Sequence, residues 1–271
     1  MIHRAKKSLG QNFLKSILAL KKIVEAGEIS IDDIILEIGP GKGALTEKLL
    51  EKSNHIIAVE TDRELFEFLQ NKFEKEIAEK KLILINNNIL EFDCVRQDLT
   101  QYKIIANIPF NITGAILKKF LGGINQPEMM VLMVQNEVAK RIVARNEKES
   151  ILSISVKAYG DSKIVMKVPA RYFSPEPKVD SAVIAIKNIS RKVFIENNIN
   201  EDIFWEIIRT GFAHKRKKLS SNLKILQKNG RLASVYGGIA SVVTLGNKRA
   251  EEMTLTDWIN LAKVIDINKK E

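Results

Sequence analysis

The sequence predicts an α/β protein: a Rossmann-like, mostly parallel sheet of seven strands followed by a small all-helical domain. Three observations carry the prediction. An apolar, β-branched run at 34–38 stops in Gly39-Pro40-Gly41-Lys42-Gly43 and restarts at helical spacing with Leu45, Leu49 and Leu50. Strand-like and helix-like patterns then alternate to about residue 188, which argues for a parallel sheet covered on both faces. Beyond that point only helical patterns remain. The domains are therefore expected at 1–188 and 189–271.

In chain order, residues 1–16 form a basic arm broken by Gly10. It ends in Gln11-Asn12-Phe13-Leu14, just ahead of a helical pattern through Ile17, Leu20, Ile23 and Val24. Such an arm either folds over a pocket or caps that helix. Strands are expected near 34–38, 56–60, 82–86, 103–106, 130–134, 162–168 and 181–187. Helices are expected near 44–52, 63–79, 113–121, 135–145 and 150–159, then at 201–212, 218–227, 231–236 and 255–265.

Chemistry-bearing residues fall beyond the carboxyl ends of these strands, where open α/β sheets bind ligands. Gly39, Gly41 and Gly43 admit positive φ and leave room for a ligand against the backbone at a helix start. Glu60 closes the second strand, placed to accept hydrogen bonds from a ribose diol. Together they favour a nucleoside cofactor over a solvated loop acid. Asn88, after the third strand, either meets an adenine edge or caps its own loop. Asn107-Ile108-Pro109-Phe110 follows the fourth strand. Pro109 stiffens this turn, so the Asn107 amide oxygen and the Ile108 carbonyl converge on one amine, and Phe110 offers a face for a base. The plainer reading is an Asn-Pro turn with a core phenylalanine. A proline-braced loop, Phe173-Ser174-Pro175-Glu176-Pro177, either holds Phe173 as a second aromatic wall or is simply a connector.

Charge points to the partner. The 271 residues carry a net charge of +10, and residues 189–271 hold 15 basic and 9 acidic residues, a net of +6. A polyanion is the partner this implies, with Arg4, Lys6, Lys7, Lys215, Arg216, Lys217 and Lys218 as its contacts; a solvated helix face is the bland reading of the denser run. No apolar run approaches the roughly 20 residues of a bilayer span, and the basic N-terminus has no apolar signal core. Cys94 is the single cysteine, which excludes an internal disulfide and fits a reducing cytoplasm. His3, His55 and His214 are scattered and make no metal cluster. No heptad run appears, so a monomer is expected.

Six segments in this order resemble the ribosomal RNA adenine N6,N6-dimethyltransferase family, in particular its small-subunit branch: KKSLGQNFL, LEIGPGKGALT, VETD, NIPFNIT, FSPEPKVDSAV and HKRKKLSSNL. The resemblance spans nearly the whole chain. It implies S-adenosylmethionine as methyl donor, a seven-stranded methyltransferase sheet and a helical C-terminal domain. The implied reaction is double methylation at N6 of two adjacent adenosines near the 3′ end of small-subunit rRNA, on an assembly intermediate of the subunit, as a step of ribosome biogenesis. Carried over by motif, Asn12, Leu14, Gly39, Gly41, Glu60, Asn88 and Asn107 line the cofactor, while Asn107, Ile108, Pro109 and Phe110 hold the target adenine.

Two positions depart from the family pattern. Asn88 stands where aspartate is usual and keeps an acceptor without the charge; Phe110 stands where tyrosine is commoner and keeps the stacking face without the hydroxyl. Phe110 leaves open the antibiotic-resistance branch that methylates large-subunit rRNA. A non-catalytic nucleic-acid binder of the same fold is the other alternative, and intact Gly39, Glu60 and Asn107 argue against it.

Overall fold

Four consecutive parallel pairings position the candidate site. In this computed structural model, which describes residues 5–6, 9–95, 99–144, 148–228 and 247–267, strand β1 (Phe13–Leu14) lies apart from the main sheet. That sheet is built from β2 (Ile34–Ile38), β3 (His55–Glu60), β4 (Leu82–Asn86), β5 (Lys103–Asn107), β6 (Met129–Gln135), β7 (Asp161–Val168) and β9 (Ser181–Lys187), while β8 (Phe173–Ser174) pairs with β1. The main order is β4-β3-β2-β5-β6-β9-β7. The first five run parallel; β9 lies antiparallel to both β6 and β7.

The residue pattern explains the layering. Ile35, Leu36, Ile56, Ile104, Ile105 and all of Met130 to Val134 are buried, as strands covered on both faces must be. Each large apolar side chain so buried contributes about 1.5–3 kcal/mol. Helices α1 (Ile17–Ala26), α2 (Ala44–Leu50), α3 (Arg63–Lys72), α4 (Glu74–Ala78), α5 (Thr113–Leu121), α6 (Asn136–Val143) and α7 (Ile151–Lys157) connect the strands. The single helix that periodicity predicts over 63–79 is two helices. Phe73 leaves helical geometry at φ −113°, ψ 29° and buries its ring.

The chain runs from β2 out through β3 to β4, then returns to β5 on the other side of β2, so the β2–β5 pair is the topological switch point. Gly39 follows β2, and Asn107 ends β5. The loop after β2 has Gly39, Gly41 and Gly43 all at positive φ, between 61° and 78°. At Gly43 a Cβ would lie 2.5 Å from Phe73 Cε2 and 2.8 Å from its Cζ, so only glycine lets α2 approach this ring.

The chain divides into two compact units, Met1–Lys140 with Gly160–Ile189, and Arg141–Tyr159 with Ser190–Glu271. Sequence alternation instead keeps 141–159 inside the expected 1–188 domain. The reason for the difference is local. Tyr159, just past α7, donates to Glu201 at 2.5 Å, accepts from Trp205 Nε1 at 3.0 Å and stacks on the Trp205 ring. These partners belong to the second unit, built from α8 (Lys192–Asn197), α9 (Glu201–Gly211), α10 (Leu219–Lys228) and α11 (Leu255–Ile267). Its core centres on Trp258, fully buried and stacked on Phe212 at 5.7 Å. The helix expected at 231–236 lies outside the described residues.

Gly43→Ala combines a left-handed backbone with a blocked Cβ. It is expected to destabilise the protein by about 3 kcal/mol, read as a lower urea midpoint at unchanged m-value.

Candidate active site

A cleft of about 480 Å³ opens at the switch point. It is lined by the loop after β2, the ends of β3 and β4, the turn after β5, and the N-terminal arm. Asn12, Leu14, Gly39, Gly41, Glu60, Asn88, Asn107, Ile108, Pro109 and Phe110 all line it. Expectations drawn from separate parts of the sequence thus meet in one place.

The arm forms one wall. Phe13 and Leu14 pair with Ser174 and Phe173, which turns two isolated segments into a short antiparallel ribbon. Gly10 faces the turn after β5, where a Cβ would stand 3.3 Å from Asn111 Oδ1. Phe13 lies against Gly41, and the Lys42 ammonium sits 4.9 Å from the centre of its ring. Opposite the arm, Gly39 faces Pro109, with 3.9 Å from an added Cβ to Pro109 Cδ.

Asn107 is half-buried at the end of β5, and its Nδ2 donates to the Asn12 carbonyl at 3.3 Å. A carbonyl only accepts, so the contact fixes which end of the amide is nitrogen and leaves Oδ1 as the group the cleft can use. Ile108 is buried, and a 3-10 turn from Phe110 to Ile112 follows Pro109. Thr113 Oγ1 donates to the Phe110 carbonyl at 3.1 Å, which holds the half-buried Phe110 at the cleft wall.

Glu60 is 4% exposed, and both its oxygens are engaged, from Gly41 N at 3.1 Å and Asp62 N at 2.9 Å. Burial raises its carboxyl pKa against the lowering effect of those backbone donors. Asn88 Oδ1 accepts from Leu90 N at 3.0 Å, so the amide caps its own turn while lining the cleft.

Two sequence expectations are corrected. Phe173 is 1% exposed and belongs to the apolar core with Leu14, so it is not an aromatic wall of the cleft; pairing with β1 turns its side chain inward. Lys6 is not a free phosphate contact: its ammonium lies 2.8 Å from Asp62 Oδ1 and 3.0 Å from Glu64 Oε1, which raise its pKa. Arg4 and Lys7 lie outside the described residues. In the second unit, Lys215, Arg216, Lys217 and Lys218 are all exposed. Asn222 pins the loop that carries them, donating to the Gly211 carbonyl at 2.6 Å and the His214 carbonyl at 3.2 Å.

Glu37 is a further residue of the cleft, absent from the expectations drawn from the sequence. This carboxyl is 1% exposed, lines the cleft from β2 and accepts from Thr46 Oγ1 at 2.7 Å. Burial pushes its pKa up to about 8. The signal was present, since a lone acid inside IILEIG breaks a strand otherwise buried on both faces.

A model of the ribosomal RNA adenine dimethylase family matches residues 2–261. The chain belongs to that family. Curated relatives named ribosomal RNA small subunit methyltransferase A include that of Dehalococcoides mccartyi, 38% identical over 95% of this chain and 87% of the relative. That of Fusobacterium nucleatum is 36% identical over 98% of this chain and 99% of the relative. A solved dimethyladenosine transferase from Plasmodium falciparum superposes with a TM-score of 0.76 at 25% identity, covering 95% of this chain and 98% of that one. The 23S rRNA methyltransferase ErmE shares the fold, with a TM-score of 0.71 at 21% identity over 94% of this chain and 100% of that one.

The cleft of this dimethylase-family chain fits S-adenosylmethionine, the family's methyl donor. Its volume falls in the range of about 300–1,000 Å³ usual for small-molecule sites. Gly39 leaves backbone open to it, Gly41 brings its amide to Glu60, and Glu37 and Glu60 place two carboxyls on the cleft wall. Among the described residues no group of His, Cys, Asp and Glu side chains could hold a metal ion, and no helix is long and apolar enough to cross a membrane.

The Glu37 environment makes stability depend on pH with an unusual sign. Its folded pKa of about 8 lies above the ordinary 4.5, so between these values the folded protein keeps a proton that the unfolded chain has released. Stability without cofactor should therefore fall as pH rises through that window and level off above it. Glu37→Gln should flatten the fall, seen as melting temperatures compared from about pH 5 to pH 8; parallel profiles for wild type and variant would refute this.

Proposed function

We propose that this chain transfers methyl groups to N6 of two adjacent adenosines near the 3′ end of small-subunit rRNA, giving N6,N6-dimethyladenosine on an assembly intermediate of the small subunit. The observation that carries the reading is the meeting of Asn107, Ile108, Pro109 and Phe110 with the glycine loop and Glu60 in one cleft. Near-full-length similarity to small subunit methyltransferases, against a fold likeness alone to the 23S enzyme, supports the choice of subunit.

S-adenosylmethionine, when bound, supplies a methyl group activated by its sulfonium. Gly39, Gly41, Glu60, Asn88, Asn12 and Leu14 would hold it, with Glu37 adding a carboxyl on the β2 side. Adenine N6 is a poor nucleophile because its lone pair is delocalised into the ring. Asn107 Oδ1 and the Ile108 carbonyl would accept its two N–H groups in the first transfer, and the one that remains in the second, favouring a pyramidal nitrogen with its lone pair available for attack. The acceleration comes from orientation and electrostatics, since a carboxamide and a carbonyl do not take a proton; the proton that N6 sheds on methylation passes to water. Phe110 stacks on the extruded base and replaces part of its lost stacking.

The sheet-bearing unit, 1–140 with 160–189, acts as the catalytic domain, and the helical unit, 141–159 with 190–271, as the rRNA-binding domain. Lys215, Arg216, Lys217 and Lys218 project as an exposed basic run that neutralises phosphate.

Asn107→Ala should abolish methyl transfer to rRNA while rRNA binding persists, measured with labelled methyl donor and filter binding. A variant that methylates normally removes Asn107 from the mechanism. Replacing Lys215, Arg216, Lys217 and Lys218 together with glutamine should weaken rRNA binding and reduce the slope of log K against log salt by about 2 to 4, with cofactor affinity unchanged. An unaltered slope would place the RNA contact elsewhere.

A further inference from the structure

Asp62 is a heavily engaged carboxylate outside the cleft. It lies two residues beyond Glu60, and its side chain is 1% exposed. Lys6 Nζ reaches its Oδ1 at 2.8 Å, and Gln11 Nε2 donates to its Oδ2 at 2.7 Å. Both partners come from the arm. The Lys6 amide also donates to Gln11 Oε1 at 2.8 Å, which ties the two arm residues to each other. A third bond, from Glu64 N to Asp62 Oδ1 at 3.1 Å, caps α3.

The arm beyond this clasp reaches the reacting end of the cleft. Asn12 follows Gln11 directly, and its carbonyl is the acceptor for Asn107 Nδ2. An aspartate just past β3 is thereby connected, through one residue of backbone, to the amide at the end of β5. Without a fixed Asn12 carbonyl the Asn107 amide is free to rotate, and a half-turn would present Nδ2 where Oδ1 is needed.

We propose that Asp62 is a positioning residue for methyl transfer: by gripping Lys6 and Gln11 it sets the arm so that the Asn12 carbonyl holds the Asn107 amide with its oxygen toward the cleft. The inference rests on the proposed function, in which Asn107 Oδ1 grips the target amine. Asp62 touches no reacting atom, and its effect is geometric.

The helix cap and the clasp are separable, because asparagine caps a helix about as well as aspartate while losing the charge that Lys6 pairs with. In the full-length protein, Asp62→Asn and Lys6→Met are compared with wild type by amide hydrogen exchange of residues 9–14 without cofactor, by kcat and KM, and by melting temperature. The expected result is exchange at least about tenfold faster in each variant, with kcat lowered at least about tenfold. The melting temperature should move by less than about 3 °C. The double variant should be no worse than either single one, because the clasp acts as a unit. Unchanged exchange, or a loosened arm with normal kcat, overturns the proposal. So does a melting temperature that falls in step with kcat, which would make Asp62 a helix cap only. If Asn107→Ala is inactive while Asp62→Asn behaves as wild type, this inference alone fails; if Asn107→Ala remains active, the underlying reading fails with it.

Discussion

The parallel pairing of β2 with β5 is the constraint on which the site depends. Ile35 and Leu36 sit in register with Lys103 and Ile104, so the two strands end side by side. The chain leaves β2 on one side of the sheet and returns to β5 on the other, which keeps crossover helices away from the space above their carboxyl ends. That gap is the cleft. Gly39 and Pro109, 70 residues apart in sequence, come together in its lining.

What the sheet leaves open, the arm closes. Its contacts are spread along the site: Gly10 on Asn111, Asn12 on Asn107, Phe13 on Gly41 and Leu14 against the apolar core. Most of these are backbone or glycine contacts, where added bulk would push the arm away. Leu14 and Phe173 anchor it by burial, Lys6 and Gln11 by polar bonds to Asp62. Binding by oriented dipoles suits a reaction whose difficulty is the geometry of a weak nucleophile rather than the removal of a proton.

Much of this was legible in the sequence because the parallel strands are buried on both faces and stand out as continuous apolar runs. The glycine loop, Glu60 and the turn at 107–110 could be assigned to one end of the sheet from strand order alone. What escaped depends on pairings too short or too distant to leave a pattern. The β1–β8 ribbon has two residues per strand, and with it Phe173 enters the core and not the cleft. Lys6 looked like part of a basic patch because Asp62, its partner, lies 56 positions away. Helix α7 reads as one more crossover, yet the Tyr159 contacts with Glu201 and Trp205 assign its segment to the helical unit. Glu37 did leave a signal, an acid in an apolar strand, of the kind that marks a site more often than an error.

Methyl transfer from labelled S-adenosylmethionine to small and large ribosomal subunits lacking these modifications, with the product nucleoside identified, tests the central claim most directly. The account predicts N6,N6-dimethyladenosine in small-subunit rRNA and no label in the large subunit. Label confined to the large subunit, or none in either while the cofactor still binds, would contradict it.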